Sequence, residues 1–248
     1  MNGVPFSLDG KRVLVTGASS GIGRATAIAL AGSGAELVIT GRDSTRLNQT
    51  LAAIGGAPHA TLVVDLTESD APATIEEGAG ALNGVVHSAG VSALAPLRLA
   101  SPDMFDRLWA VNYRAPMLVT QALLKRGRIA DGGSIVFIGS ISAHIGVAGV
   151  AAYAGTKAAL AASARCLAME VAKRRIRVNT IAPGIVETEM AAAGSAMLGD
   201  TVERQRADYP LGFGKPEDVA NLAAFLLSDA SRWITGTSLV IDGGHTIG

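Results

Sequence analysis

The sequence predicts an α/β protein with a doubly wound Rossmann fold, in which a seven-stranded parallel sheet carries helices on both faces. Three observations predict it. Short runs rich in β-branched residues alternate along the chain with longer segments of helical periodicity. The short runs are apolar on consecutive residues, which is typical of strands that are covered on both faces. A glycine-rich turn joins the first run to the first helical segment.

The elements follow in a regular order. The predicted strands are 12–16, 36–40, 61–64, 84–87, 134–138, 177–181 and 238–241. The predicted helices are 22–33, 44–54, 69–80, 102–126, 151–173 and 216–228. Because no linker or internal repeat divides the chain, residues 1–248 are predicted to form one domain. Residues 187–213 lie between the sixth strand and the last helix, and we expect them to form a lid over the substrate.

Composition excludes several classes of function. The 21 basic and 21 acidic residues balance, so neither a nucleic acid nor an anionic membrane is an expected partner. The single cysteine, Cys166, excludes an internal disulfide framework, and the four scattered histidines lack metal-ligand spacing, so we expect no metal. The uncharged stretch 132–156 is interrupted by Gly and Ser and is better explained by a buried strand and a loop than by a membrane span. With no apolar leader at the N-terminus, we expect a cytoplasmic protein.

The first strand ends in TGASSGIG, which places Gly17, Gly21 and Gly23 between a strand and a helix. Glycine there permits a tight turn, lets a phosphate approach the backbone and packs the helix closely on the sheet. The N-terminus of the helix presents free N–H groups that suit a pyrophosphate. The turn therefore predicts a dinucleotide site.

The end of the second strand bears on the choice of dinucleotide. NAD sites usually place an acidic residue there, which accepts a hydrogen bond from the ribose 2′-hydroxyl. This chain has Arg42 instead, and a guanidinium can hold a 2′-phosphate, so we predict NADP(H) in preference to NAD(H). The alternative is that Arg42 is a solvated charge beside Asp43. Asp65, after the third strand, suits either a contact with the adenine amino group or a turn cap.

A second group of residues suits proton transfer. Ser140 ends the fifth strand, and Tyr153 and Lys157 lie four residues apart on one face of the following helix. The phenol of a free tyrosine has a pKa of about 10, and we expect the Lys157 ammonium and a positively charged nicotinamide to lower it. Ser140 can then hold a substrate oxygen against the phenol, and Asn112 can anchor a water molecule that links Lys157 to solvent.

These motifs resemble those of the short-chain dehydrogenase/reductase family over almost the whole chain. TGASSGIG matches the cofactor turn of that family. The catalytic tetrad of the family falls on Asn112, Ser140, Tyr153 and Lys157. A Pro-Gly pair and a threonine that contacts the nicotinamide end follow at Pro183, Gly184 and Thr188. The resemblance implies hydride transfer with a nicotinamide cofactor, usually by a homotetramer.

The resemblance also implies a set of cofactor contacts, with one departure from the family pattern. The implied contacts are Gly17, Ser19, Ser20, Gly21, Ile22, Gly23, Arg42, Asp65, Leu66, Ala89, Gly90, Tyr153, Lys157, Pro183, Gly184, Ile185 and Thr188. The family commonly has two asparagines before Ala89, where this chain has His87 and Ser88. We expect His87 to replace a structural hydrogen bond rather than to act in catalysis.

The substrate is predicted only as a class. The loop after the fifth strand and the lid supply candidate pocket residues Ser142, His144, Val147 and Met190. The favoured hypothesis is a reductase of a ketone or of a 3-oxoacyl thioester, free or bound to a carrier protein. Oxidation of a sugar, polyol or other alcohol is the alternative, since the same tyrosine serves as acid or as base. A nucleotide-binding regulator without turnover is a third hypothesis, against which the intact tetrad argues.

Overall fold

The computed structural model describes residues 6–55, 58–192 and 206–247. Its strands are β1 (Arg12–Thr16), β2 (Glu36–Gly41), β3 (Ala60–Val63), β4 (Leu82–His87), β5 (Ile129–Ile138), β6 (Arg177–Pro183) and β7 (Ser238–Ile241). They form one seven-stranded sheet in the order β3-β2-β1-β4-β5-β6-β7, and every neighbouring pair is parallel. The predicted doubly wound fold is confirmed.

Helices cover both faces of the sheet. They are α1 (Gly21–Gly32), α2 (Ser44–Ala53), α3 (Ala71–Ala79), α4 (Pro102–Trp109), α5 (Ala115–Lys125), α6 (Ala151–Val171) and α7 (Pro216–Leu227). The helices α1, α2 and α7 enclose one apolar core, while α3, α5 and α6 enclose the other. Within the described part of the chain, no helix has both the length and the hydropathy needed to cross a membrane.

The strand sequences explain why there are two cores. Successive side chains of a strand point to opposite faces. In β1, Val13 and Val15 enter the core under α1 and α7, whereas Leu14 enters the core under α3, α5 and α6. All three side chains are fully buried, and each such burial stabilises the fold by about 1.5–3 kcal/mol. A run of consecutive apolar residues is therefore what a sheet covered on both faces requires.

The predicted helix 102–126 is helical without a break from Pro102 to Lys125, but it is not α-helical throughout. The helices α4 and α5 are separated by a π-helical turn at Ala110–Arg114, where the N–H of Ala115 donates to the carbonyl of Ala110. Pro116 accounts for the wider turn, because it has no N–H to donate to the carbonyl of Asn112 and its ring would crowd that carbonyl. Such turns are frequent at functional sites. Here the turn places the Asn112 side chain in the interior, 1% exposed.

Two features of the topology position a ligand site. The strand order reverses between β1 and β4, which are neighbours in the sheet, and ligands of such folds bind at the carboxyl ends of the strands flanking that point. Near the same edge, a backbone bridge joins Val186 to Gly214. The two ends of the predicted lid 187–213 therefore meet. Residues 193–205 of that segment lie outside the described residues.

Candidate active site

A cleft opens at the carboxyl ends of β1, β2 and β4. Its larger part has a volume of about 590 Å³, and a smaller cavity of about 170 Å³ adjoins it beside Ser140 and Tyr153. The two share the lining residues Ile22, Ser88, Gly90, Val91, Thr188 and Met190. The cleft is therefore continuous from the end of β2 to the predicted catalytic residues.

The glycine-rich turn forms the floor of the cleft and needs its glycines. Gly17 has a φ of +68°, and a Cβ there would lie 2.6 Å from the Cα of Ala89. A Cβ at Gly23 would lie 2.2 Å from the carbonyl oxygen of Gly17. Both distances are shorter than atoms tolerate, so only glycine lets the turn pack against the segment after β4 and lets α1 pack against the turn.

The N-terminus of α1 suits an anion. Its N-cap residue Ser20 makes no side-chain capping hydrogen bond, and the first turn contains no acidic residue. Ser20 and Gly21 line the larger part of the cleft. The N–H groups of the first helical turn and the positive end of the helix dipole together fit the pyrophosphate of a dinucleotide.

Arg42 and Asp65 lie together at the far end of the cleft. The Arg42 Nη1 atom is 3.4 Å from the Asp65 Oδ2 atom. The other carboxylate oxygen, Oδ1, accepts hydrogen bonds from the N–H and the hydroxyl of Thr67, at 2.9 and 2.7 Å. Burial raises the pKa of Asp65, but the hydrogen bonds from Thr67 and the charge of Arg42 outweigh it and leave the pKa below its ordinary value. Asp65 is thus a turn cap, and it also lines the cleft.

Arg46 is a cleft residue that the sequence analysis missed. It lies in the first turn of α2, whose N-cap Asp43 accepts a hydrogen bond from the Arg46 N–H. Its Nη2 atom is 2.6 Å from the Oε2 atom of Glu189 at the start of the lid, and both residues line the cleft. The sequence did contain an indication of this role. Arg46 follows Arg42 by four residues, so a second guanidinium lies near the carboxyl end of β2.

Tyr153 and Lys157 meet at the smaller cavity, as their spacing on α6 predicts. Lys157 is 5% exposed, and its Nζ atom donates to the carbonyl of Ile138 at 2.8 Å. The same atom lies 5.7 Å from the centre of the Tyr153 ring. Burial lowers the pKa of Lys157 to about 8. The ammonium is therefore held inside the protein by the end of β5 and remains mostly protonated at neutral pH.

The pKa of the Tyr153 phenol differs from the expectation. Burial raises it above its ordinary value, and a hydrogen bond with the Ser140 side chain offsets only part of that rise. The expected lowering by Lys157 is not found in the protein alone, because desolvation of the phenolate is the larger effect. The four-residue spacing of Tyr153 and Lys157 predicts that they are neighbours, but it does not predict how strongly burial desolvates the phenol.

Asn112 fastens the chain that follows β4. Its Oδ1 atom accepts from the N–H of Val91 at 2.8 Å, and its Nδ2 atom donates to the carbonyl of Val91 at 2.9 Å and to the hydroxyl of Thr156 at 3.2 Å. The side chain is thus engaged within the protein rather than held ready for a water molecule. The main-chain carbonyl of Asn112 receives no hydrogen bond from residue 116, because Pro116 has no N–H.

His87 makes the structural hydrogen bond that we expected. It is 3% exposed, its ring stacks on Phe137 with centroids 5.0 Å apart, and its Nε2 atom is 2.8 Å from the hydroxyl oxygen of Thr120. That hydroxyl donates to the carbonyl of Pro116, so it accepts from an Nε2–H. Within the described residues the Nδ1 atom has no hydrogen-bond partner, and burial lowers the pKa of His87 to about 3. The ring is therefore neutral.

The four candidate pocket residues occupy different places. Met190 lines both parts of the cleft. His144 is exposed, and its Nε2 atom lies 3.1 Å from the Ser238 hydroxyl, which ties the loop to β7. Val147 is 42% exposed and lines neither cavity. Ser142 also lines neither cavity, and it hydrogen-bonds Ser140 instead.

The segment after β6 forms the wall opposite Tyr153. Pro183, Gly184, Ile185 and Thr188 line the smaller cavity. Tyr209, near the far end of the lid, is buried behind this wall, and its hydroxyl oxygen accepts from the N–H of Ile185 at 3.1 Å. With this wall included, every cofactor contact that the motifs imply borders one cavity or the other.

Comparisons with known proteins agree with this geometry. A protein-family model described as enoyl-(acyl carrier protein) reductase matches residues 17–246. The D-threitol dehydrogenase of Mycolicibacterium smegmatis is 36% identical over 253 residues, which cover 98% of this chain and 95% of that protein. Carbonyl reductase (NADPH) 2 of Sus scrofa is 35% identical over 248 residues, with coverages of 97% and 98%. The crystal structure of a dehydrogenase/reductase from Sinorhizobium meliloti 1021 superposes with a TM-score of 0.88 at 35% identity, covering 98% of this chain and 97% of the other.

Proposed function

Because the chain belongs to the short-chain dehydrogenase/reductase family, we propose that it is an NADP(H)-dependent oxidoreductase that interconverts a carbonyl compound and an alcohol. The observation that carries this proposal is the meeting of Ser140, Tyr153 and Lys157 at the inner end of a cleft that begins at a glycine-rich turn. When bound, the nicotinamide supplies or accepts the hydride. The residues of the chain then have to bind the substrate oxygen and move one proton.

Tyr153 moves that proton. In reduction its phenol donates to the developing alkoxide, and in oxidation the phenolate accepts the hydroxyl proton. Ser140 hydrogen-bonds the phenol in the free protein and, when substrate is bound, donates its one hydroxyl proton to the same substrate oxygen. The buried Lys157 ammonium favours the phenolate and so stabilises Tyr153 after it has given up its proton.

Two arginines support the choice of NADP(H). Arg42 and Arg46 both line the end of the cleft that follows β2. Each guanidinium lies next to a carboxylate, Asp65 for Arg42 and Glu189 for Arg46, and a 2′-phosphate would compete for both guanidinium groups. The relative from Sus scrofa is named for NADPH, which also favours this choice.

The smaller cavity supports a compact substrate. Its volume is about 170 Å³, and the implied cofactor contacts Pro183, Gly184 and Thr188 also line it, so the nicotinamide end of the cofactor takes up part of that space. Apolar side chains, including Val91, Ile138 and Ile185, line it around Ser140 and Tyr153. We therefore propose reduction of a small ketone or of the 3-oxo group of an acyl thioester. The description of the family model names an acyl carrier protein, which fits a thioester substrate, but its enoyl group is a C=C bond and not a 3-oxo group. Polyol oxidation is the second candidate, favoured by the relative named D-threitol dehydrogenase.

A panel of substrates tests the proposal. NADPH oxidation is measured with acetoacetyl thioesters, diketones, ketoses and aldehydes, with NADH in parallel, and NADP⁺ reduction is measured with four-carbon polyols. We expect turnover of at least one class, with kcat/KM at least about tenfold higher for NADPH than for NADH. Tight NADPH binding without turnover of any class in either direction would instead support a nucleotide-binding regulator.

Two properties stay predictions that the family resemblance and the composition suggest. One is the homotetramer, which light scattering of the purified protein measures as a mass four times that of the chain. The other is the cytoplasmic location, which cell fractionation measures.

A further inference from the structure

Ser142 directs both of its hydrogen-bond donors at Ser140. The main-chain N–H of Ser142 lies 3.2 Å from the Ser140 Oγ atom. The Ser142 hydroxyl donates to the same oxygen at 2.9 Å. Both residues lie in the turn that follows β5 and are partly buried. The Ser140 oxygen thus accepts two hydrogen bonds from one neighbour.

The two hydrogen bonds that Ser140 accepts leave its hydroxyl with only a donor. A serine hydroxyl has one proton and two lone pairs. With both lone pairs engaged by Ser142, the Ser140 proton has to be donated onward. Tyr153, whose phenol pKa a hydrogen bond with Ser140 lowers, lies beside Ser140 at the smaller cavity and can accept that proton when no substrate is bound. Ser140 therefore presents a donor, and not an acceptor, to the oxygen atoms at the smaller cavity.

The turn that carries Ser142 is held on both sides. Ile141 is 6% exposed and anchors the turn in the interior, and the N–H of His144 donates to the Ile141 carbonyl at 2.7 Å. The His144 ring reaches Ser238 at the start of β7. Because these contacts fix the backbone, the Ser142 hydroxyl has a defined position from which to orient Ser140.

We propose that Ser142 is a positioning residue for the reaction, one that fixes and polarises the Ser140 hydroxyl as the donor to the reacting oxygen of the substrate. This proposal rests on the proposed function, in which Ser140 binds the substrate oxygen. Ser142 acts through Ser140, because it lines neither cavity. Successive donation from Ser142 to Ser140 and on to the substrate strengthens each bond, by roughly 10–30% in condensed phases. No cofactor contact is involved, so cofactor affinity should not depend on Ser142.

The test compares Ser142→Ala, which removes the hydroxyl, with Ser142→Thr, which keeps it. We expect Ser142→Ala to lower kcat about tenfold, as the loss of one hydrogen bond that strengthens in the transition state implies, and to leave the Kd for NADPH unchanged. Ser142→Thr should restore kcat to within about threefold of the wild type. The matched control is Ser163→Ala, which removes a hydroxyl bonded to Tyr113 at 3.0 Å elsewhere on α6 and should leave kcat unchanged.

A pH profile separates positioning from a purely structural role. In the oxidative direction the rate rises with pH as Tyr153 loses its proton. In the free enzyme the one Ser140 proton is donated to Tyr153. Without donation from Ser142, Ser140 stabilises the phenolate less, so the rising limb of kcat/KM, which reports the free enzyme, moves to higher pH in Ser142→Ala and returns in Ser142→Thr. If Ser142→Ala fails to fold, Ser142→Cys, a weak donor of similar size, takes its place and should behave as predicted for Ala.

Two results would overturn the inference. The first is a kcat and a pH profile of Ser142→Ala that equal those of the wild type. The second is a Ser142→Thr variant as slow as Ser142→Ala, which would mean that shape rather than the hydroxyl matters. The variant Ser140→Ala separates the proposed function from the role of Ser142. Full activity of Ser140→Ala contradicts the proposed function. An inactive Ser140→Ala together with a fully active Ser142→Ala contradicts only the role of Ser142.

Discussion

The two ends of the cleft are built from different kinds of polar groups. At the outer end, the Arg42 side chain is 71% exposed and the Glu189 side chain 69% exposed, and both take part in ion pairs at the surface. At the inner end, Lys157 is 5% and Asn112 1% exposed, and each bonds to main-chain carbonyls. Exposed ion pairs contribute little to stability, whereas buried polar groups are costly to leave without partners. Cofactor preference can therefore change at low cost to the fold, but the catalytic geometry cannot.

The largest expected effect is at the inner end. Tyr153→Phe keeps the ring on α6 but removes the proton donor, and general acid catalysis contributes roughly 10²–10⁴-fold to rate. We expect kcat to fall by about that factor while the Kd for NADPH, measured by fluorescence titration, stays within about twofold, since the phenylalanine ring keeps its place at the inner end and the outer end is unchanged. Unchanged turnover in this variant would contradict the proposed mechanism.

A second prediction uses His87, buried at the end of β4 beneath the cleft. Its pKa is about 3 in the folded protein and about 6.5 when unfolded. The unfolded chain therefore binds more protons between these values, and stability falls as the pH falls below about 6.5. From pH 7.5 to pH 5 this residue should lower the free energy of unfolding by about 2 kcal/mol.

His87→Asn removes the titrating group, so its free energy of unfolding should lose about 2 kcal/mol less than the wild type over the same pH range. Urea unfolding at pH 7.5 and pH 5 measures the difference. The exposed His144, replaced by Asn, serves as the matched control and should keep the pH dependence of the wild type. Equal pH dependence in the wild type and His87→Asn would show that burial of His87 does not carry this effect.

The smallest effect is expected at the outer end. Arg42→Ala should raise the Kd for NADPH about tenfold and leave the Kd for NADH nearly unchanged, because only the former carries a 2′-phosphate. Arg46→Ala should act in the same direction but less strongly, since Glu189 already holds its guanidinium. The melting temperature should not move in either variant. Arg174→Ala, which breaks a surface pair with Asp131, is the control, and a full NADPH preference in Arg42→Ala would refute the proposed phosphate contact.

Much of the fold and the site could be predicted because local pattern and topology agree. Consecutive apolar residues in β1 fill two cores, so the strand run alone indicates a sheet covered on both faces. Once the sheet is parallel, Gly17 after β1 and Ser140 after β5 must reach the same edge. The i,i+4 spacing then brings Tyr153 beside Lys157 at that edge.

The remainder depends on interactions that spacing does not encode. The π-helical turn at Ala110–Arg114 follows from a single missing N–H at Pro116, within a segment that otherwise has uniform helical propensity. The contact between Arg46 and Glu189 joins residues 143 positions apart in sequence. The raised pKa of Tyr153 depends on desolvation by the folded surroundings. Each of these is a property of tertiary structure.

The bridge between Val186 and Gly214 has a consequence for how substrate range can be engineered. Main-chain hydrogen bonds join Gly214 to the two neighbours of Val186: the Glu187 N–H donates to the Gly214 carbonyl at 2.9 Å, and the Gly214 N–H donates to the Ile185 carbonyl at 3.0 Å. The segment between Val186 and Gly214 therefore begins and ends at neighbouring positions. Doubling the length of such a loop raises the free energy of loop closure by only about 0.6 kcal/mol. Exchange of this segment between family members should leave the sheet in register, provided that the graft keeps Thr188, which lines the cleft, and Tyr209, whose hydroxyl holds Ile185.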